Sequence, residues 1–181
     1  KTALFALLLS SIAVSAQNIS LTNYKLVGGA AGQKGATYRF ISATKDLYGK
    51  PASDCIVKIE SISPGVTLKN LNQNLTANIS SFQPEVEYQD INGPSWIEFS
   101  FTFVSHNTTQ YNNYFSLPVI TTSVSGLNNY GTAHEFAECN LGQDSKVVYD
   151  SEITNLMISA TGNGFRAENK WGAENDANAK I

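Results

Sequence analysis

An all-β fold, an antiparallel β-sandwich of jelly-roll type, is the class that this sequence predicts, and three observations predict it. The apolar residues lean to Ile, Val, Phe and Tyr, which suit a pleated surface, while strong helix formers are sparse. Several short segments alternate apolar and polar residues with a period of two. Turn residues separate nearly all of these segments, as in sandwiches and jelly rolls.

The clearest predicted strand covers residues 96–104, where Ile97, Phe99, Phe101 and Phe103 alternate with polar residues. A second strand covers residues 55–61 and ends at the turn Ser63-Pro64-Gly65. Weaker patterns predict further strands at residues 19–27, 37–42, 66–68, 85–88, 117–124, 135–139, 147–149 and 153–160. No segment keeps a helical period, and no strand–helix alternation indicates a parallel sheet.

The first sixteen residues have the pattern of a secretory signal peptide. Lys1 is followed by the apolar run of residues 3–9, and small residues lead to Ala16. A cationic start, a short apolar core and small residues before the cut are typical of such peptides, and the core is too short for a permanent anchor. We therefore expect residues 17–181 to form one secreted or cell-surface domain. Residues 178–181 look like the entry to another strand, so we expect the domain to be the amino-terminal part of a longer chain.

The charge pattern argues against several partner classes. The chain has 12 Lys and Arg against 15 Asp and Glu, a net charge of −3, and no basic cluster. A nucleic-acid surface needs such a cluster, so no nucleic acid is expected. After the signal peptide no apolar stretch approaches the roughly 20 residues that a transmembrane helix needs, so no membrane-spanning segment is expected.

The two cysteines, Cys55 and Cys139, allow two interpretations. In an exported protein they can pair as a disulfide across a long loop. Alternatively, they are two small buried apolar residues. A catalytic thiol is not expected, because neither cysteine has a sequence neighbour that would lower its pKa.

A metal site is conceivable around residues 134–138, which read His-Glu-Phe-Ala-Glu. The zinc motif His-Glu-x-x-His lacks its second histidine here, and the segment alternates as a strand. Calcium is the stronger metal candidate, with Glu135 and Glu138 as ligands near Asp144 and Asp150. The preferred interpretation is that these acids keep a sheet surface soluble, so no cofactor is expected.

Aromatic residues are the candidate ligand-binding groups. Tyr and Trp offer flat apolar faces with a polar edge, which suit a sugar or a protein partner. The set consists of Tyr111, Tyr114, Tyr130 and Trp171. The alternative is that most of these rings pack under loops.

The order of several segments resembles a known family. The segments are Ala36-Thr-Tyr-Arg-Phe, Cys55-Ile-Val-Lys-Ile-Glu, Ser81-Phe-Gln-Pro-Glu-Val, Trp96-Ile-Glu-Phe-Ser-Phe-Thr-Phe-Val, Leu117-Pro, His134-Glu-Phe-Ala-Glu and residues 165–173. The series resembles the amino-terminal β domain of large Bacteroidetes cell-surface and gliding-associated proteins. The resemblance implies export by type IX secretion, sandwich repeats after this domain and no catalytic residues. Relatives often carry Asp-x-Asp-Gly where this chain reads Ser123-Val-Ser-Gly, so the resemblance supports no calcium site here.

The residue patterns predict a non-enzymatic extracellular module, and the resemblance implies an adhesion or structural role at the start of a larger secreted protein. Its expected partner is an extracellular protein or glycan surface. The alternative function is a carbohydrate-binding domain, alone or attached to a secreted hydrolase. A third hypothesis, from the enzyme class, is a small hydrolase that uses Glu135 or Glu138.

Overall fold

The computed structural model describes residues 19–73, 82–89, 94–112, 121–124, 136–140, 156–162, 164–169 and 177–180. These residues contain eleven strands and no helix, so no described helix could cross a membrane. The strands are β1 Tyr24–Gly28, β2 Thr37–Lys45, β3 Pro51–Ile62, β4 Val66–Asn70, β5 Glu85–Tyr88, β6 Ile97–Ser105, β7 Thr121–Val124, β8 Phe136–Cys139, β9 Leu156–Thr161, β10 Gly164–Asn169 and β11 Ala177–Lys180. Their pairings are antiparallel, and the predicted all-β sandwich class is confirmed.

The chain divides into two compact units, Lys1–Ser116 and Leu117–Ile181. The predicted signal peptide, residues 1–16, lies outside the described residues. The prediction of one domain over residues 17–181 stays a prediction.

The main sheet of the first unit has the strand order β1-β2-β3-β6. The two clearest sequence patterns both form strands of this sheet, as β6 and as the longer β3. On β3 the side chains of Cys55, Val57 and Ile59 are fully buried on one face, as the alternation predicts. Leu68 of β4 and Leu71 belong to the same buried cluster, so the β4–β5 hairpin contributes a second layer.

One side chain of β6 differs from the pattern. Phe99 and Phe103 pack against the core, whereas Phe101 on the same face is 45% exposed. Phe101 contacts the ring of Phe82 edge-on, with 5.0 Å between ring centroids. Conversely, Val104 is 4% exposed although it lies on the face predicted to be wet. At the end of β6, therefore, a side chain on the second face of the sheet is also buried.

A β-bulge interrupts the pairing of β2 with β3 between Phe40 and Thr44. Ser42 lies in the bulge with a φ of 56°, in the left-handed region that non-glycine residues rarely adopt. The bulge turns the backbone N–H of Ser42 toward β3, where it meets the carboxylate of Asp54. The bulge therefore positions a backbone donor for the carboxylate of Asp54.

The second unit contains a three-stranded sheet, β8-β10-β9, and the separate pair β7–β11. Strand β10 begins at Gly164 and overlaps the segment of residues 165–173, and β11 overlaps residues 178–181. On β8 and β10, Phe136, Glu138, Arg166 and Glu168 share one face. The guanidinium of Arg166 lies 3.9 Å from the ring centroid of Phe136, and its Nε donates a hydrogen bond to Glu168. These side chains form an ordinary solvated sheet surface.

Candidate binding site at one end of the main sheet

Two loops lie at the same end of the main sheet of the first unit, and together they are called the hairpin end. The first loop, residues 46–50, joins β2 to β3, and the second, residues 105–111, follows β6. The second loop lies beside the start of β3. Ser105 pairs with Ser53, and His106 N donates a hydrogen bond to Ala52 O at 3.1 Å. The hairpin end is thus built on rigid strands.

The first loop is organised around Asp46. Its carboxylate oxygen Oδ1 accepts the backbone N–H groups of Tyr48, at 2.9 Å, and Lys50, at 2.8 Å. The main chain of Asp46 also pairs with Lys50 and Gly49, and Gly49 has a φ of 77°, which suits glycine. Aspartate favours such turns because its side chain satisfies the N–H groups two and more residues later. The loop therefore has a defined shape.

This shape places two large apolar side chains in solvent. Leu47 and Tyr48 at the loop tip are each 87% exposed, and Tyr111 at the end of the second loop is 74% exposed. Scattered exposed apolar residues are normal, but two consecutive ones at a hydrogen-bonded tip form a protruding apolar surface. Such a surface can be buried by a partner with little loss of loop freedom.

The second loop is fixed by its own backbone and by Thr108. Ser105 N donates to Gln110 O at 2.9 Å, and Thr108 N donates back to Ser105 O at 3.0 Å. After this turn, Tyr111 forms an isolated antiparallel bridge with Val104 at the outer edge of β6. Residues in such a bridge point to the same face, so Tyr111 stands on the face that carries Asp54.

Beside the second loop lies a fully buried carboxylate, Asp54 of β3, whose side chain is 0% exposed. The guanidinium of Arg39 reaches Oδ2 from Nε at 2.7 Å and from Nη2 at 2.6 Å. Oδ1 accepts the N–H of Ser42 at 2.8 Å and meets His106 Nδ1 at 2.7 Å, and Oδ2 also accepts the N–H of Asn107 at 3.1 Å. Five donor contacts saturate a carboxylate with about four lone-pair sites. Asp54 therefore ties β2, β3 and the second loop together, and it has no capacity left for a metal ion.

The hydrogen bonds of Asp54 decide its charge. Burial by itself would raise the pKa of this carboxyl, but the donors Ser42 N–H, His106, Asn107 N–H and Arg39 together outweigh it and lower the pKa to about 2. Asp54 is consequently an anion at every pH at which the protein would normally function. The paired charge of Arg39, which also donates to Thr108 O at 2.7 Å, compensates it.

His106 beside Asp54 has the orientation that a carboxylate gives to an imidazole in many hydrolases. Donation from Nδ1 to Asp54 leaves Nε2 as an acceptor, and the group that faces Nε2, at 2.9 Å, is the Nδ2 amide of Asn107. Nucleophilic catalysis would need a hydroxyl or thiol in that position. The observed arrangement instead holds the second loop in place.

Of the predicted aromatic binding residues, Tyr111 lies at the hairpin end and is exposed. The other three, Tyr114, Tyr130 and Trp171, lie outside the described residues. Their role in ligand binding stays a prediction.

Of the predicted metal ligands, Glu138 is exposed on β8 and pairs across the sheet with Arg166, while Glu135 lies outside the described residues. The described part of the chain contains no group of three or more His, Cys, Asp or Glu side chains that could hold a metal ion. The calcium alternative at Glu135 and Glu138 stays a prediction.

Cys55 is a fully buried thiol in the core of the first unit, and burial raises its pKa to about 12 despite a hydrogen bond from the backbone of Thr102. Cys139 is partly buried at the end of β8 in the second unit. The structure thus fits the small apolar interpretation for Cys55. The disulfide between Cys55 and Cys139 stays a prediction.

Sequence reasoning missed the centre of this site. Asp54 directly precedes the alternating run of β3 and looks like an ordinary polar residue, and Leu47 and Tyr48 precede the turn Gly49-Lys50-Pro51. An apolar pair enclosed by Lys45-Asp46 and Gly49-Lys50 is the signal that could have indicated an exposed tip. No sequence signal connects Arg39, Asp54 and His106, because only strand pairing brings them together.

Comparisons with protein-family models, with curated proteins and with solved structures gave no match for this chain.

Proposed function

We propose that this chain is a non-enzymatic extracellular module that binds a partner through the hairpin end, in adhesion or in a structural role at the start of a larger secreted protein. The observation that carries the proposal is the solvent exposure of Leu47, Tyr48 and Tyr111 on two hydrogen-bonded loops at one end of a sheet. Binding residues are commonly found on loops that a rigid scaffold positions.

The energetics favour binding at this surface. Full burial of a leucine or tyrosine side chain contributes on the order of 2 kcal/mol each. Ordering of a flexible loop would offset much of this gain, but the bonds to Asp46 and Asp54 hold both loops before any partner arrives. Binding at the hairpin end therefore requires little further ordering of either loop.

The experiment is an adhesion measurement with beads that carry the intact chain, tested on a panel of purified extracellular matrix proteins. We expect the double variant Leu47→Ser/Tyr48→Ser to lose at least tenfold in adhesion. Val86→Ser on β5, where the side chain is 41% exposed, is the matched control and should adhere as the unmodified chain does. Equal adhesion of all three proteins would show that the hairpin end is not the binding surface.

The second candidate function is carbohydrate binding, and the exposure of Tyr111 favours it. An exposed tyrosine ring at a sheet edge can stack on the apolar face of a sugar. A glycan array tests this function with Tyr111→Ala against the control Tyr88→Ala, because Tyr88 is 56% exposed on β5. Selective loss of glycan binding in Tyr111→Ala would favour the carbohydrate function, and the absence of any glycan signal would remove it.

A further inference from the structure

We infer that the tip of the β2–β3 loop, formed by Leu47 and Tyr48 with Lys45 and Lys50 on either side, docks onto a lipid surface with anionic headgroups. The inference rests on the proposed function in one respect, since it takes the hairpin end as the contact surface. It adds the chemical class of the partner. The charge, the apolar surface and the shape of the tip support it.

The charge of the tip is opposite to that of the chain as a whole. Lys45 and Lys50 are exposed and, in the described part of the chain, take part in no ion pair, whereas the net charge of the chain is −3. Asp46 lies between the two lysines and its carboxylate accepts N–H groups of the loop, so two lysines and one aspartate give the tip a formal net charge of +1. The two ammonium groups therefore supply a local attraction to anionic headgroups, worth roughly a fivefold gain in binding for each lysine near the surface.

The apolar part of the tip matches the boundary between headgroups and acyl chains. Leu47 and Tyr48 are consecutive and 87% exposed, so both can enter the boundary without any rearrangement of the core. Tyrosine is enriched at this depth because its ring is apolar and its hydroxyl is polar. Lysine stems can extend along the apolar layer while the ammonium stays among the headgroups. Apolar burial and electrostatic attraction together determine the strength of interfacial binding.

The shape of the tip favours a lipid surface over a protein pocket. A pocket that received Leu47 and Tyr48 would also have to match the two flanking lysines, whereas a fluid anionic surface adapts to them. The loop closes on itself through Asp46 N–H to Lys50 O, 2.8 Å, so the side chains project from a fixed turn. A rigid convex tip loses little freedom when it enters a deformable layer.

The sheet offers a matched control for charge. Lys34 is exposed in the loop between β1 and β2, which joins the start of β2, while the tip follows its end. Nine residues of β2 separate the two loops, a span of roughly 26 Å, so Lys34 cannot share one flat surface contact with the tip. The variant Lys34→Gln removes the same charge as Lys45→Gln without touching the tip.

The experiment is co-sedimentation of the intact chain with phosphatidylcholine vesicles that contain phosphatidylglycerol, and with vesicles of phosphatidylcholine alone. We expect binding to the anionic vesicles that falls as salt rises, and much weaker binding to the neutral ones. Lys45→Gln and Lys50→Gln should each weaken the binding about fivefold. Leu47→Ser/Tyr48→Ser should abolish it, while Lys34→Gln should retain it.

The results separate this inference from the proposed function. Absence of sedimentation with anionic vesicles, or undiminished binding of Leu47→Ser/Tyr48→Ser, would overturn the lipid inference. If the same chain adheres to a matrix protein through Leu47 and Tyr48 but not to vesicles, the lipid inference fails and the proposed function stands. If vesicles bind only through these residues and the lysines, both are supported. Circular dichroism of each variant confirms that the exposed substitutions leave the fold intact.

Discussion

Ser42 and Asn107 direct their backbone N–H groups at opposite oxygens of one carboxylate, that of Asp54. The distances are 2.8 Å to Oδ1 and 3.1 Å to Oδ2. In the described part of the chain these two are the non-glycine residues with left-handed backbone, at φ 56° and 59°. Such a conformation costs about 1–2 kcal/mol for a residue such as Ser42 and less for an asparagine such as Asn107, and hydrogen bonds to a buried anion offset that cost. The carboxylate therefore stabilises two otherwise unfavourable turns.

The first prediction concerns Ser42, which uses its backbone N–H in this contact. Ser42→Gly keeps the N–H and removes the left-handed cost, so we expect a free energy of unfolding that is unchanged or higher by up to about 1 kcal/mol. Ser42→Pro removes the N–H and cannot adopt this φ, so we expect a loss of about 3 kcal/mol or more. Urea unfolding measures both. Equal destabilisation by the two variants would show that the serine side chain, and not the N–H, holds the bulge.

The second prediction concerns the ion pair of Asp54 with Arg39. Asp54→Asn leaves the guanidinium of Arg39 without its buried counterion, and we expect the free energy of unfolding to fall by about 3–5 kcal/mol. The matched control is Glu60→Gln, which breaks the exposed pair with Lys58 and should leave stability unchanged within error. Denaturant titration of both variants decides the point. A small effect of Asp54→Asn would mean that the buried cluster is not what holds the second loop.

The third prediction concerns acid. The pKa of Asp54 is lowered from 3.8 to about 2 in the folded chain. A lowered carboxyl pKa stabilises the folded state above the unfolded value, and this contribution disappears as pH falls through the folded value. We therefore expect a loss of about 2 kcal/mol of unfolding free energy between pH 4 and pH 2 from this residue.

The measurement for this prediction is urea unfolding at a series of pH values. Asp54→Asn has no titrating carboxyl at this position, so its curve should fall less steeply than that of the unmodified chain over the same interval. Parallel curves would contradict the lowered pKa of Asp54.

The period-two patterns of the sequence were sufficient to predict the main strands. The alternation of phenylalanines in β6 and of Cys55, Val57 and Ile59 in β3 follows directly from the side-chain period of a pleated strand. Periodicity describes one strand at a time, so it could not show that Phe101 stays exposed beside Phe82. The exposure of Phe101 depends on which side chains from other segments pack over it.

The candidate site was much less predictable than the strands. Arg39 and His106 lie 67 positions apart in the sequence. They meet at Asp54 because a bulge in β2 and a turn after β6 converge on β3. Neither the bulge at Ser42 nor the turn at Asn107 has a glycine that would have indicated left-handed backbone. Of the site, the sequence indicated Tyr111, an aromatic residue in a polar stretch.

The fourth prediction concerns the order of the β2–β3 loop. Asp46→Ala removes the acceptor of the Tyr48 and Lys50 N–H groups. We expect both amides to exchange with solvent deuterium much faster than in the unmodified chain, because their protection comes from this carboxylate. Asp46→Asn keeps a side-chain oxygen acceptor and should retain part of the protection. Equal exchange rates in all three proteins would show that the loop is held by other contacts.

The last prediction concerns Cys55, whose reactivity distinguishes a core thiol from a disulfide partner. In the variant Cys139→Ser, Cys55 is the single remaining cysteine, and its full burial and a pKa of about 12 leave no accessible thiolate. We expect no reaction with Ellman's reagent in the native variant and reaction of one thiol in denaturant. Rapid native reaction would contradict the buried position. In the unmodified chain, two thiols that titrate in denaturant without reductant would exclude the disulfide between Cys55 and Cys139, whereas none in a monomeric chain would support it.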